Sequence, residues 1–216
     1  MGDQVTDGKP TIEPFSLKSI GPEPTGATPI EEEDLKGLIP DFVATRADLN
    51  RVEFDNISKA LTWGIQQAKV LGPDGLLENG FLMKLHHQMF GDVWRWAGTN
   101  RRRITNIGSL PEVIISETHA ALEDMKYWHA KGIFKSDERA ARLHCRLVTS
   151  HPFPNGNGRC TRLIADMYLV SIDEPMFTWG SKSIDVNGEA RKRYIDALVK
   201  ARNEDDYDDL LAFARS

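Results

Sequence analysis

The chain has 216 residues, of which 40% are hydrophobic and 27% charged, and a formal net charge of −5. That size and balance suit one globular domain with a sizeable core. The net charge gives no argument for binding nucleic acid or an acidic membrane surface. No apolar run approaches the roughly 20 residues that span a bilayer. The N-terminal stretch around Asp3, Asp7 and Lys9 has no apolar segment of the signal-peptide kind. With only Cys145 and Cys160, no disulfide framework is implied, and a cytoplasmic location is expected.

Residues 1–28 contain Pro10, Pro14, Pro22 and Pro24 without apolar periodicity, and are expected to form a flexible N-terminal arm before a domain spanning 29–216. Thr28-Pro29-Ile30-Glu31 has the pattern of a capping box and predicts a short helix ending before Pro40. Thr45 marks the start of a long helix reaching about Lys69, with an apolar stripe of Leu49, Val52, Ile57, Ala60, Leu61 and Ile65. Gly72, Pro73 and Gly75 break the chain, and a helix follows over residues 79–89. Residues 98–115 differ. They hold Arg101, Arg102, Arg103, Gly108 and Pro111, then the β-prone Val113-Ile114-Ile115, and read as a hairpin-like excursion. So short an arginine run is more often solvated than bound to a partner. Helices are expected over 116–131, from Ser136 to the His151-Pro152 step, from near Gly158, over 189–202 and over 206–214. The fold class is therefore mostly α, a single helical domain with a small β-hairpin.

Chemistry concentrates between two of these helices. In His151-Pro152-Phe153-Pro154-Asn155-Gly156-Asn157-Gly158-Arg159, the glycines permit close backbone approach to a ligand, and a helix begins just behind them. The N–H groups and dipole of that helix start favour an anion. Arg159 and Arg162 share a face of its first turns, where positive side chains are unfavourable on their own. A bound phosphate reverses that sign. The bland alternative is a glycine-rich surface loop with two solvated arginines.

Taken in order, these residues resemble the Fic signature: His-Pro-Phe, one residue, an acidic residue, then Gly-Asn-Gly-Arg and a second arginine three positions on. Phe90-Gly91-Asp92-Val93-Trp94-Arg95-Trp96-Ala97-Gly98 also resembles the Fic core upstream of its flap. The layout from about residue 30 onward is similar to the Fic subgroup labelled mobile mystery protein B, which shares the Pro154-Asn155 variant and the Leu210-Leu211-Ala212-Phe213-Ala214-Arg215-Ser216 ending. The resemblance implies a Fic-like helical domain that transfers AMP from ATP to a Ser, Thr or Tyr hydroxyl of a protein, the chain itself being one candidate target. It implies His151 as general base and Phe153 as the inward anchor of the loop. Gly156, Asn157 and Gly158 would cradle phosphates, and Arg159 and Arg162 would hold the outer ones. A flap carrying Arg103, Ile104, Ile107 and Val113 would align the target.

Asn155 departs from the pattern, because family members that transfer AMP usually carry Asp or Glu there to hold Mg²⁺. An amide oxygen offers a metal less than a carboxylate does. A slower AMP transferase, another nucleotide or phosphate donor, and a nucleotide-binding regulator of a toxin–antitoxin-like system all stay open at this point. The resemblance also makes Glu53 a candidate inhibitory residue pairing with Arg162, although Leu49 and Phe54 do not fit the family's inhibitory motif. The alternative is a half-exposed glutamate on an amphipathic helix. His86 and His87 face different directions, His144 reads as a core histidine, and Trp94, Trp96, Trp128 and Trp179 read as packing residues.

Overall fold

A computed structural model describes residues 28–181 and 188–216. Apart from Thr28, the expected arm lies outside the described residues. Among those residues the chain forms eight α-helices: α1 (Glu32–Leu35), α2 (Arg46–Leu76), α3 (Asn79–Phe90), α4 (Ile114–Lys131), α5 (Ser136–Ser150), α6 (Asn157–Ser171), α7 (Glu189–Glu204) and α8 (Asp208–Ala214).

The start of α2 is where the sequence puts it. The Thr45 hydroxyl accepts the Asp48 N–H at 3.1 Å, and the Asp48 carboxylate accepts the Thr45 N–H at 2.9 Å. Two donors that the helix leaves orphaned are satisfied reciprocally. The helix runs past Lys69 to a break at Gly72, where φ is 62° and ψ −177°, and one more turn follows Pro73. Proline disfavours helical backbone in the residue before it, and glycine tolerates the left-handed φ. The chain therefore kinks at one residue rather than opening into a loop.

The N-terminal capping box is displaced from its expected place. Glu31, not Thr28, is the N-cap of α1, and its N–H donates to Asp34 at 2.9 Å. Only four residues are helical before the chain turns to meet the segment after α3. There Ile39 donates to the Val93 carbonyl at 2.9 Å, Arg95 donates to Gly37 at 2.8 Å, and Leu38 and Trp94 form an isolated bridge.

Helix α6 is the buried axis. Cys160, Ile164, Ala165, Tyr168 and Leu169 along it have no exposed surface. It packs on α2 and α5, α5 carries α4 on its other side, and α3 lies against α2 and α6. Small residues Ala60, Gly64 and Ala68 bring α2 close, so that a β-carbon at Gly64 would lie 3.0 Å from the Met167 sulfur. A second apolar cluster of Ala141, Cys145, Ala197, Ala201, Tyr207 and Leu210 joins α7 and α8 to α5.

The expected β-hairpin is not found. Among the described residues no strand forms. Pro111–Val113 is a 3-10 turn, with proline at its start, that leads directly into α4. The β-prone triplet is thus a helix entry. Ile114 is fully buried while its neighbours Val113 and Ile115 point outward. The excursion is held by Arg101 instead of by strand pairing. The Arg101 guanidinium donates to the carbonyls of His151 at 2.6 Å, of Arg103 at 2.8 Å and of Ser109, and the Arg101 N–H donates to Pro152 at 2.9 Å. One forked cation supplies the donors that a ladder would have supplied. The arginine run is therefore not simply solvated: Arg101 is buried, and Arg103 pairs with Asp34 at 2.5 Å.

Arg101→Met keeps the bulk but removes these donors. Leaving buried carbonyls unpaired should cost about 1–3 kcal/mol in denaturant unfolding. Hydrogen exchange should quicken at residues 102–110 more than elsewhere. Uniform exchange rates across the chain would show that the excursion does not depend on Arg101.

Candidate active site

The chain reverses between α5 and α6 through two left-handed residues, His151 (φ 54°) and Gly156 (φ 76°). Between them the Asn157 side chain closes the loop. Its Oδ1 accepts the Phe153 N–H and its Nδ2 donates to the Phe153 carbonyl, each at 2.8 Å. Phe153 is fully buried and stacks on His86 with ring centroids 3.8 Å apart. His86 Nδ1 accepts the Gly98 N–H at 2.9 Å, so Nε2 carries the proton and donates to the Asn155 carbonyl at 3.0 Å. Burial holds His86 neutral and lowers its pKa to about 3. Gly156 lies against Phe90, whose ring would be 2.6 Å from a β-carbon there.

This framework aims the N-terminus of α6 into a cleft of about 590 Å³. The first turn of α6 has neither a capping side chain nor an acidic residue. Its N–H groups and dipole thus present positive potential to the cleft. Among the described residues, Arg46, Arg159, Arg162, Arg191 and Arg202 also line the cleft, against a single carboxylate, Glu53. The size fits a nucleotide-sized ligand, and the charge fits an anion.

Glu53 is buried, with its side chain 9% exposed, and not half-exposed. It pairs with Arg159 at 2.6 Å and not with Arg162. The Trp94 indole N–H donates to its other oxygen at 2.8 Å. Three residues on a helix rotate by about 300°, so Arg159 and Arg162 diverge by about 60°. Arg159 leans toward α2 and lies over the Phe90 ring at 4.7 Å, while Arg162 leans toward α7 and lies over the Tyr194 ring at 5.4 Å.

His151 is almost fully enclosed, and its Nδ1 lies 3.1 Å from the Val148 carbonyl. A carbonyl only accepts, so Nδ1 carries the proton in the neutral ring and Nε2 offers a lone pair. That lone pair faces the Thr28 hydroxyl at 2.6 Å. Burial first, then the Arg101 charge, lowers the His151 pKa to about 4, with the Val148 contact opposing. The imidazole is therefore a free base at neutral pH. Gly108 packs against it so closely that a β-carbon would collide with the histidine side chain.

Asn155 is committed locally. Its Oδ1 accepts the Gly156 N–H at 2.6 Å and lies 3.4 Å from Arg159, while its Nδ2 donates to the Thr28 carbonyl at 3.1 Å. Among the described residues no group of three His, Cys, Asp or Glu is placed to hold a metal. This donor set does not make a protein-held Mg²⁺ site, which calls for hard, charged oxygens.

Of the flap residues, Ile107 lines the cleft, and Ile104 is 71% exposed and not among the lining residues. Arg103 is turned to Asp34, and Val113 sits in the 3-10 turn outside the cleft. His144 is a core histidine, hydrogen-bonded to Tyr194 at 2.9 Å, with burial lowering its pKa to about 3. Asp166 is buried behind the cleft-lining Arg162 on the same helix. It accepts the Phe177 N–H and the Trp179 indole N–H, with burial raising its pKa to about 7. Sequence reading missed Thr28, Arg101, His86 and Tyr194 as parts of the site. Nothing in local sequence marks them, since each reaches the loop across the fold.

Residues 77–169 match the family model described as the Fic/DOC family. The chain's likenesses are these. A relative from Sinorhizobium fredii (strain NBRC 101917 / NGR234), named probable protein adenylyltransferase y4lH, is 28% identical over 148 residues, covering 62% of this chain and 69% of that protein. A Fic domain containing signaling protein from Bacteroides thetaiotaomicron VPI-5482 is 21% identical with a TM-score of 0.57, over 74% of this chain and 62% of that one. The BepC protein of Bartonella tribocorum, solved with bound AMPPNP, is 14% identical with a TM-score of 0.60, over 80% of this chain and 87% of that one.

The His151 pKa gives a direct test. Its folded value lies below the unfolded 6.5, so its contribution to stability is present above 6.5 and lost as pH falls toward 4. His86 and His144 act in the same direction. Asp166, raised to about 7, acts oppositely and loses its contribution as pH rises through that value. Ring ¹⁵N shifts should show His151 Nε2 unprotonated down to about pH 5. A titration centred near 6.5 would mean that the ring is open to water.

Proposed function

We propose that this chain is a nucleotidyltransferase of the AMPylation type, moving AMP from ATP to a Ser, Thr or Tyr hydroxyl of a protein in the cytoplasm. One observation carries this reading: an imidazole lone pair faces a hydroxyl at 2.6 Å beside an uncapped helix N-terminus lined with arginines. That is a base, an acceptor and an anion cradle in one cleft. The name of the Sinorhizobium relative and the nucleotide analogue in the Bartonella structure point the same way.

The acceptor O–H donates to His151 Nε2 and its oxygen attacks the α-phosphorus. Pyrophosphate leaves as the new O–P bond forms. Gly156, Asn157 and Gly158 place backbone N–H groups on the inner phosphates, and Arg159 and Arg162 hold the outer ones. Mg²⁺, where bound, would be carried mainly by the phosphates and would neutralise their charge. Ile107 offers an apolar contact in the cleft for the target. Glu53 is inhibitory through Arg159, because it occupies a guanidinium that the triphosphate needs. A second reading, a nucleotide-binding regulator with weakened chemistry, is favoured by Asn155 alone, since it leaves the metal without a protein carboxylate.

His151→Ala should lower transfer from ATP labelled at the α-phosphate by roughly 10²–10⁴-fold. Calorimetric ATP affinity should change little, because the ring lies outside the phosphate cradle. Transfer at the wild-type rate would remove His151 as the base, and absence of ATP binding in the wild type would remove the reading altogether.

Glu53→Gln keeps an acceptor for Trp94 and removes the charge on Arg159. We expect tighter ATP binding, several-fold faster transfer and a stability loss of about 1–3 kcal/mol, discounted because Arg159 is one-third exposed. Unchanged affinity with lowered stability would make the pair purely structural.

A further inference from the structure

We infer that Thr28 is an intramolecular acceptor, so that the chain transfers the nucleoside monophosphate onto its own Thr28 hydroxyl. This rests on the transferase reading above and names the first substrate of that site.

Thr28 sits in the cleft as an acceptor must. It is 6% exposed, and its Oγ1 lies 2.6 Å from His151 Nε2. The tautomer set by the Val148 carbonyl leaves Nε2 only as an acceptor, so the Thr28 O–H donates to it. The proton that a base has to remove already points at the base. The Thr28 backbone is held as well. Its carbonyl accepts from Asn155 Nδ2 at 3.1 Å, and Asn155 Oδ1 accepts the Gly156 N–H at 2.6 Å. One amide side chain thus ties the Thr28 carbonyl to the first N–H of the phosphate cradle. Downstream, the Arg103 guanidinium reaches the Pro29 carbonyl at 3.4 Å, and Ile30 is buried in the core. A hydroxyl so placed on the base has paid its ordering entropy in folding.

Asn155 gains an account here. A carboxylate at that position cannot donate and would set one acceptor against another, its own oxygen against the Thr28 carbonyl. The amide sacrifices a metal ligand and gains a donor that docks the acceptor segment. Asn155 is in this sense a positioning residue for Thr28.

The step balances. Thr28 Oγ1 attacks the α-phosphorus of a nucleoside triphosphate, and the Oγ1–P bond forms. The bond from the α-phosphorus to the αβ-bridging oxygen breaks, and its electron pair leaves with pyrophosphate. The hydroxyl proton passes to His151 Nε2 and from there to solvent.

The test is to incubate the full chain with each of four nucleoside triphosphates labelled at the α-phosphate, with and without a cell lysate. The modified residue is then mapped by peptide mass spectrometry. We expect at most one nucleoside monophosphate per chain, on Thr28, formed at a rate independent of protein concentration. Thr28→Ser should keep the label at the same position. Thr28→Val, nearly isosteric, should lose it while transfer to lysate proteins persists or rises, because the base is released. Label on other residues or on lysate proteins with Thr28 unmodified overturns the Thr28 assignment and spares the transferase reading. Equal labelling of Thr28→Val and wild type overturns it too. No label anywhere, with any nucleotide, overturns both.

Discussion

A carboxylate set among arginines, Glu53 paired with Arg159, governs this site. The N-terminus of α6 brings the positive end of a helix dipole to a cleft that five arginines line. Among the described residues that line it, Glu53 is the carboxylate. Its ion pair with Arg159 is held from behind by the Trp94 indole, so the carboxylate is fully partnered although buried. Much of the surrounding architecture fixes these three groups. Helix α2 carries Glu53, the turn after α3 carries Trp94, and α6 carries Arg159. Asn56, one turn beyond Glu53, ties α2 to that same turn through the Gln88 carbonyl and Asp92. The contact between α2 and the α3 turn is thereby also the contact that sets the electrostatics of the cleft.

The same constraint explains which parts were readable in sequence. The helices from α2 onward were legible because each carries its own start or stop: Thr45 with Asp48, Gly72 with Pro73, His151 before Pro152. The loop was legible because its glycines and arginines are contiguous. The excursion over 98–110 was not. Val113-Ile114-Ile115 has strand propensity, yet Pro111 and the burial of Ile114 commit it to a helix. Arg101, which organises the excursion, looks in sequence like any arginine in a short basic run. Its role depends on carbonyls at 103, 109 and 151 that only the fold gathers.

The partner of Glu53 was misread for a similar reason. The resemblance offered a carboxylate and two arginines and named the second. Helical rotation sends Arg162 toward Tyr194 and leaves Arg159 facing α2. A difference in direction of about 60° is easily overlooked in spacing when both arginines lie on roughly the same face.

Asn155 joins the two halves of the functional argument. Judged only as a failed metal ligand, it weakens the case for chemistry. Judged by its hydrogen bonds, it is fully employed: the oxygen braces Gly156 and the amide N–H holds the Thr28 backbone. Those two tasks need an acceptor and a donor on one short side chain, which asparagine has and aspartate lacks at neutral pH. The family's usual carboxylate would favour a metal over an internal strand of chain. The amide instead holds the Thr28 carbonyl beside the loop, where the Thr28 hydroxyl faces the His151 lone pair. The residue that departs from the signature thus joins Arg103 and the buried Ile30 in holding the segment that the His151 lone pair meets.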